Sequence, residues 1–340
     1  MIITYILVNV ILRVWTNFPF SGSKGWTNFY HYLNSYPNIS FADVNNINMI
    51  DYAICFNHTD GNLSEIIHAG VLKARRILIM LECEAVLPRM HQKKILDNYG
   101  LIISPSKYWA SNVTKEIINY PAIVNLDFTH NDFNSKKYGF GIIQSNKYSC
   151  IKGEMYTFRR RVIKEFKKRN IKLELRGNNW DRSPINSIIT YYRILRVNLR
   201  IELLKKLIYF PRSVFGIKVS KSVTEKSKDN FLLNLKYAIV IENSLDYVSE
   251  KLFDCFKSGT VPIYVGPKLE EFGIPSNTVI VAPNNIEDLF YIISNIESYP
   301  HDSIIENGKD FLLNSASDWT ETKSLSKIAA IIIKRISDEI

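Results

Sequence analysis

The stretch "YAIVIENSLDYVSEKLFDCFKSGTVPIYVG", residues 237–266, decides the fold of this chain. Its first five residues predict a buried strand, "SEKLFDCFKS" predicts an amphipathic helix, and "VPIYV" predicts the next strand. Gly259 follows the helix and suits its C-terminal cap. A strand, a helix and a second strand in this order are typical of a parallel sheet with helices on its faces.

Polar residues are concentrated where the first of these strands meets the helix. "ENSLDY" follows the strand, and Glu250 and Lys251 fall in the first turn of the helix. A helix N-terminus has unpaired N–H groups and about half a positive charge, and Lys251 adds a full one. The pattern therefore predicts an anion site. In the alternative interpretation Glu242 and Glu250 only cap the helix and Lys251 is solvated.

The rest of the chain repeats the alternation of short apolar runs and helical stretches. Further strands are predicted at 77–81, 101–104, 141–144, 173–176 and 279–282, and helices at 154–168, 191–210, 286–297 and 323–337. The polar stretch 128–139 is the predicted linker, which gives a first domain at 1–130, a second at 131–325 and a C-terminal helix end at 326–340. Two doubly wound α/β domains facing across a cleft would bind ligands at the carboxyl ends of their strands.

The composition fits a globular chain with a localised excess of positive charge. The 340 residues are 46% hydrophobic and 22% charged, and the formal net charge is +10. Ten Lys or Arg and two Glu fall in 191–228, where 191–210 is a basic amphipathic helix. This segment is interpreted as a solvated face or as a contact with an anionic membrane surface. Nucleic-acid binding ranks last because no known nucleic-acid-binding motif accompanies the charge.

Neither a targeting segment nor a metal site is predicted. The apolar run that opens the chain is about half the 20 residues that a spanning helix needs, and it is interpreted as a strand, with a short anchor as the alternative. No signal peptide is evident, so we expect a cytoplasmic location or one peripheral to the cytoplasmic membrane face. The four cysteines fit no zinc spacing, and no P-loop occurs.

The sequence of residues 242–266 resembles the signature of glycosyltransferase family 10, the α1,3/4-fucosyltransferases. That signature reads E-N-S, a spacer, Y-[VI]-[TS]-E-K-[LI], and then G-x-V-P-[IV]. "FGIIQSNKYS" (140–149), "YTFRRRVIKEF" (156–166) and "RRILIMLECEAVLP" (75–88) are similar to other stretches of the family. The resemblance covers about residues 75–330 and is thin before residue 75.

The resemblance implies a GT-B fold with an N-terminal acceptor domain and a C-terminal donor domain. It implies inverting transfer of L-fucose from GDP-β-L-fucose to a hydroxyl of an oligosaccharide or lipid-linked glycan, with α1,3 linkage first and α1,4 as the alternative. GDP-fucose would be a substrate and not a bound cofactor, and no divalent metal would be required.

The resemblance also assigns candidate site residues. Glu82 matches the general base, and Glu84 is the alternative. One of these two carboxyls is expected to have a raised pKa, because both would lie in a partly desolvated cleft. The donor-binding candidates are Arg159 or its neighbour Arg160, Gly177, Glu242, Asn243, Tyr247, Glu250 and Lys251.

Two alternatives to fucosyl transfer stay open. The first is a transferase that uses another nucleotide sugar on the same scaffold. The second is a basic glycan- or membrane-binding protein that has lost catalysis, although the presence of both Glu82 and Lys251 favours an enzyme.

Overall fold

The computed structural model describes residues 12–17, 24–36, 39–41, 49–106, 113–123, 128–129, 131–149, 151–178, 180, 219–220 and 225–339. The basic segment 191–210 and the N-terminal run before residue 12 lie outside these residues, so the predictions made for them stay predictions. Within the described part of the chain, no helix is both long and apolar enough to span a bilayer.

The first sheet is parallel throughout and has six described strands, in the order β2-β1-β3-β4-β5-β6. Their bounds are β1 Leu12–Thr16, β2 Ile39–Phe41, β3 Tyr52–Phe56, β4 Arg76–Ile79, β5 Leu101–Ser104 and β6 Thr114–Ile117. This is the flavodoxin-like order extended by one strand, and its direction reverses between β1 and β3.

The second sheet is also parallel and has the order β12-β11-β10-β7-β8-β9. Its strands are β7 Tyr138–Ile143, β8 Leu173–Arg176, β9 Val219–Ser220, β10 Leu235–Ile241, β11 Val261–Val265 and β12 Ile280–Val281. Counted from β7, this is the dinucleotide-fold order 3-2-1-4-5-6, and it places the switch point between β7 and β10.

Helices connect the strands as the alternation predicts. The described helices are α1 Lys24–Asn34, α2 Asp60–His68, α3 Lys93–Leu96, α4 Tyr156–Lys168, α5 Glu225–Leu233, α6 Glu250–Lys257, α7 Ile286–Ser294, α8 His301–Asn314 and α9 Glu321–Ser337. Helix α6 ends as predicted. Gly259 takes φ +58°, and the N–H of Thr260 donates to the carbonyl of Cys255 at 3.0 Å, which is a Schellman cap.

Strand periodicity divides the apolar residues between the two faces of the first sheet. Tyr52 and Ile54 of β3 face a core that contains residues of α1 and α9, while Ala53 and Cys55 face the opposite core. In the second sheet, alternate residues of β10 and β11 pack against α4 and α7. Strands β3, β10 and β11 are buried on both faces, which explains their continuous apolar sequences.

The chain divides into two compact units, and the boundaries differ from the predicted ones. The first unit comprises the described residues of 1–82, 89–124 and 318–340, and the second those of 83–88 and 125–317. Helix α9 belongs to the first unit because Leu325, Ile328 and Ile332 are buried in the core that contains Phe29 of α1. The predicted second domain therefore ran a few residues too far, and its last helix packs on the first sheet.

Candidate functional site

The switch point of the second sheet joins the loop after β7 to the loop after β10. The side-chain amide of Gln144, the first residue after β7, donates to the carbonyl of Ile241, the last residue of β10, at 2.8 Å. The N–H of Met155, just before α4, donates to the carbonyl of Asn243 at 3.0 Å. These bonds fix both loops and the entry to α4 relative to one another.

Arg159 of α4 is buried between the two loops. Its Nη1 donates to the carbonyl of Ser145 at 3.0 Å, and its Nη2 donates to the carbonyl of Ile241 at 3.0 Å and to Asn243 Oδ1 at 3.3 Å. Burial lowers the pKa of this guanidinium to about 10, with smaller opposing effects from nearby groups. In this arrangement Arg159 joins the loops, and its Nη1 and Nη2 donors point at protein oxygens.

Arg160 is engaged in a similar way. Its Nη1 donates to the carbonyl of Lys147 at 2.6 Å, its Nη2 donates to Thr157 Oγ1 at 3.0 Å, and its guanidinium lies 4.1 Å from the centre of the Tyr148 ring. Both arginines predicted to meet a diphosphate thus bind elements of the second unit. Neither assignment as a donor ligand is tested by these contacts.

Asn243 and Tyr247 form the next link in the loop after β10. Asn243 Nδ2 donates to Tyr247 Oη at 2.8 Å, and both side chains are buried. Since Asn243 Oδ1 also accepts from Arg159, the amide orientation is set by bonds on both sides. Tyr247 is therefore held by a chain of hydrogen bonds that begins at α4.

Glu242, Ser249 and Lys251 form a compact polar cluster at the N-terminus of α6. Glu242 is fully buried, and it accepts from Ser249 N at 3.1 Å, from Ser249 Oγ at 2.6 Å and from Lys251 Nζ at 3.3 Å. Lys251 Nζ also donates to Ser249 Oγ at 2.6 Å. The predicted cation is therefore ion-paired, and the Glu242 carboxylate binds protein donors at the start of α6.

Glu250 and Gly177 complete the predicted donor set. Glu250 is half-buried at the first position of α6, where the helix dipole favours a carboxylate. Gly177 has φ +129°, and a Cβ there would lie 2.2 Å from the carbonyl oxygen of Gln144. The close approach that Gly177 permits is thus one between the loops after β8 and β7.

The two candidate bases follow β4 and fall in different units. Strand β4 ends at Ile79, two residues before the predicted end at 81, so Glu82 lies three residues beyond the strand and not directly after it as predicted. Glu82 is half-buried, and its carbonyl is in hydrogen-bonding contact with His91 Nε2 at 3.0 Å. Residues 83–88 group with the second unit, so the boundary runs between the two carboxylates.

The carboxyl of Glu84 has a raised pKa. Burial raises its pKa above the ordinary value, and the carboxylate of Asp246 raises it further. Asp246 is itself buried and accepts a hydrogen bond from Ser244 in the same loop. The second carboxylate that acts on Glu84 is thus Asp246, a residue that the sequence analysis did not select.

Sequence reasoning missed Gln144, Ser249 and Asp246. Serine directly before a helix is a common N-cap residue, so Ser249 could have been found from that preference. No local signal marks Gln144, whose bond reaches Ile241 on another strand, or the effect of Asp246 on Glu84, which is distant along the chain. Among the residues that the structure describes, no group of three or more His, Cys, Asp or Glu is arranged to hold a metal ion.

Curated relatives match part of the chain, although no family model does. The Bos taurus protein named 4-galactosyl-N-acetylglucosaminide 3-alpha-L-fucosyltransferase 9 is 28% identical over 107 residues, which are 30% of this chain and 26% of the bovine protein. The Homo sapiens protein of the same name is 27% identical over the same length and the same shares. The match spans about a quarter of the length of these relatives.

Solved structures match almost the whole chain. A crystal structure of an alpha1,3-fucosyltransferase has a TM-score of 0.54 and 13% identity, and the match covers 96% of this chain and 90% of that one. Anabaena HepE, crystallised with UDP and glucose, has a TM-score of 0.56 and 9% identity, covering 95% and 100%. The predicted two-domain GT-B fold and the predicted resemblance to the family 10 fucosyltransferases are both confirmed.

Proposed function

We propose that this chain is an inverting fucosyltransferase that moves L-fucose from GDP-β-L-fucose to a hydroxyl group of a glycan acceptor. The observation that carries the proposal is the cluster at the N-terminus of α6. It places Lys251, with its side chain 15% exposed, at the switch point of a nucleotide-binding sheet order. The same residues spell the stretch that resembles the fucosyltransferase signature.

The donor diphosphate would lie against the N-terminus of α6. Its charge grows as the glycosidic bond breaks, and a fixed ammonium and a helix N-terminus stabilise such charge without reorganisation. Lys251 has three N–H donors, of which Glu242 and Ser249 take two, so one donor remains for a phosphate oxygen. Tyr247, Glu250 and Asn243 would contact the nucleotide sugar directly or orient the groups that do.

The reaction would be a single displacement. The carboxylate of Glu82, with Glu84 as the alternative, takes the proton of the acceptor hydroxyl, and the acceptor oxygen forms a bond to C1 of fucose. The bond from C1 to the diphosphate oxygen breaks, and its electron pair leaves with GDP. Attack from the opposite face converts the β-linked donor into an α-linked product.

We propose that protein cations and N–H dipoles carry the leaving-group charge and that a divalent metal is not required. The family resemblance and the placement of Lys251 support this. Transfer measured in excess EDTA should equal transfer measured with added Mg²⁺ or Mn²⁺. A rate that fell by tenfold or more in EDTA and returned with one of these metals would contradict it.

The acceptor we favour is a 4-galactosylated N-acetylglucosamine, modified at position 3. The support is the name of the curated relatives, which states this acceptor and this position. Position 4 is the alternative linkage, and it requires a different acceptor, one whose position 4 carries a free hydroxyl. In either case the acceptor would be a free oligosaccharide or a lipid-linked glycan.

A second candidate is transfer from another nucleotide sugar, such as a UDP-sugar. The match to Anabaena HepE, which was crystallised with UDP and glucose, favours testing it.

Transfer by the purified full chain tests these candidates. The protein is incubated with GDP-fucose, GDP-mannose or UDP-glucose and the galactosylated acceptor, and the product linkage is read by NMR. We expect fucosylated product from GDP-fucose alone. Product from UDP-glucose alone would support the second candidate, and GDP binding without any transfer would support a non-catalytic relative.

A matched pair of variants on α6 ties activity to the site. Lys251→Met should lower transfer from GDP-fucose by about 100-fold, because it removes the one described cation at the helix N-terminus of α6 that has a spare donor. Lys257→Met removes the same charge from the opposite end of the same helix and should leave transfer within about twofold. Equal losses in both variants would contradict the placement of the donor.

We further propose a location in the cytoplasm or peripheral to its membrane face, with contact through 191–210. The support is the basic amphipathic spelling of that segment. Neutralising the five Arg and Lys residues between 193 and 206 should abolish binding to anionic liposomes. Unchanged binding would refute the proposal.

A further inference from the structure

We propose that Glu242 is a positioning residue that holds Lys251 in place for the donor diphosphate. The inference rests on the proposed function, since it concerns the same anion site. It replaces the predicted role of Glu242 as a direct donor ligand.

Burial separates the roles of the two residues. The side chain of Glu242 is fully buried, whereas that of Lys251 is 15% exposed. A fully buried carboxylate has no surface to offer a nucleotide sugar. It can act on the donor only through the groups that it binds, and these are Ser249 and Lys251.

The hydrogen bonds of the cluster set the orientation of the Lys251 ammonium. Glu242 Oε2 and Ser249 Oγ both accept from Nζ, at 3.3 Å and 2.6 Å. Ser249 Oγ in turn donates to Glu242 Oε2 at 2.6 Å, which closes a triangle of three polar atoms. A lysine side chain has several freely rotating bonds, and two fixed acceptors remove that freedom before a ligand arrives.

The side chain of Glu242 is itself tightly packed. A Cβ at Gly266 would lie 2.9 Å from Glu242 Cγ and 2.3 Å from the hydroxyl oxygen of Tyr264, which is buried. Ser249 N, at the start of α6, holds the other carboxylate oxygen at 3.1 Å. Packing therefore fixes the position of the Glu242 carboxylate, and the carboxylate in turn fixes the position of the Lys251 ammonium.

Glu242 has an alternative role to consider, in which it weakens donor binding. As an internal anion, Glu242 would compete with the diphosphate for Lys251, and its removal would tighten GDP binding. We favour positioning because Lys251 keeps one donor unused while it binds Glu242 and Ser249, so the two anions need not exclude each other.

A double-mutant cycle measured by calorimetry distinguishes these roles. GDP and guanosine are titrated into the wild-type chain, Glu242→Gln, Lys251→Met and the double variant. We expect Glu242→Gln to weaken GDP binding about tenfold and guanosine binding less than twofold. In the Lys251→Met background the same change should alter GDP affinity less than twofold, because the residue through which Glu242 acts is gone.

Asp254→Asn is the matched control. Asp254 is a buried carboxylate on the same helix, ion-paired with Lys228 at 2.8 Å. Its amide variant should lose stability but keep the GDP affinity of the wild type. Should Glu242→Gln fail to fold, Ser249→Ala replaces it, with an expected threefold loss of GDP affinity that vanishes in the Lys251→Met background.

Each outcome decides the proposal. Tighter GDP binding in Glu242→Gln would show competition, equal losses for GDP and guanosine would show a general structural role, and additive effects with Lys251→Met would show independent action. Any of the three overturns the inference while the proposed function stands. If the wild-type chain binds no GDP, the proposed function fails and the inference fails with it.

Discussion

The two sheets differ in the polar side chains that lie at the carboxyl ends of their strands. At the switch point of the second sheet, the buried Arg159 joins the loops after β7 and β10, and the buried Glu242 pairs with the partly exposed Lys251 of α6. At the switch point of the first sheet, an amide joins the strands. Asn17 Nδ2 donates to the carbonyl of Phe56 at 3.2 Å, and the N–H of Phe56 donates to Asn17 Oδ1 at 2.6 Å.

The first sheet continues with further polar groups next to β3. Asn57 takes φ +54°, and His58 contacts Tyr99 Oη at 2.8 Å and Asp60 Oδ1 at 3.1 Å. The hydrogen bond from His58, together with Arg89, holds the pKa of the exposed Asp60 below its ordinary value. This edge offers neutral donors and acceptors and an exposed ion pair, which suit hydroxyl groups better than a diphosphate.

The difference suggests why the resemblance is strong in one unit and thin in the other. A diphosphate requires fixed cations and N–H groups, which few arrangements supply. Sugar hydroxyls accept many arrangements of polar side chains. We therefore expect changes at the first edge to affect catalysis and acceptor use, and changes at the second edge to affect donor binding and stability.

The largest expected effect is on the first edge. Glu82→Gln should lower kcat by about 10² to 10⁴, because it removes the proposed general base, while the Kd for GDP stays unchanged. Glu65→Gln, on the exposed face of α2, serves as the control and should retain full activity. A larger loss in Glu84→Gln than in Glu82→Gln would assign the base to Glu84.

The second effect concerns the buried guanidinium of the second edge. Arg159→Met should lower the free energy of unfolding by about 3 kcal/mol, because the Ser145 carbonyl and Asn243 Oδ1 each lose a charged donor and the Ile241 carbonyl keeps only the one from Gln144. Urea denaturation measures the loss. Arg169→Met, which removes an exposed arginine from the C-terminal end of α4, should change the midpoint little. Equal midpoints in both variants would refute the stabilising role of Arg159 between the loops after β7 and β10.

The third effect concerns the close approach of Gly177 to the backbone of Gln144 at the same edge. Gly177→Ala should cost about 2 kcal/mol of stability, because the added Cβ meets the Gln144 carbonyl and φ is +129°. Gly153 has φ +89° with open space around it, so Gly153→Ala reports the dihedral strain alone. Thermal melts should rank the two variants in that order, and a reversed order would remove the steric argument.

The smallest effect tests the carboxylate pair. Because Asp246 raises the pKa of Glu84, Asp246→Asn should lower that pKa in an NMR titration of the Glu84 side chain. A carboxyl with a raised folded pKa stabilises the fold below its ordinary value of 4.5, and this contribution is lost as the pH rises through the folded value. Glu84→Gln should therefore flatten the dependence of stability on pH in that range. An unchanged Glu84 titration in Asp246→Asn would show that burial alone sets its pKa.

Much of the second unit could be predicted from the sequence. The strands β8, β10 and β11, the helices α4 and α6 and the cap at Gly259 agree with their predicted places within a few residues. Their periods are local, so a short window carries the signal. The strand, the polar loop and the helix within residues 237–257 were predicted in the right order, because their signals follow one another in one short stretch.

The hydrogen-bond partners of the candidate residues were harder to predict than the strands and helices that carry them. Glu242 and Arg159 were predicted to bind the donor, and in the structure both side chains are buried and bind protein groups. Lys251 was expected to be a bare cation or a solvated one, and it is ion-paired. Charge and motif select such residues, but they do not reveal which neighbour takes up each hydrogen-bonding atom.

The two alternating α/β halves, the strand-to-helix junction at 242–251 and the resemblance to fucosyltransferases follow from local sequence patterns. The packing of α9 in the first unit, the bonds by which Arg159 joins two loops and the effect of Asp246 on Glu84 are visible only in the folded chain. The reason is distance along the chain. Arg159 and Ile241 are 82 residues apart, and no periodicity in either neighbourhood specifies that their atoms meet.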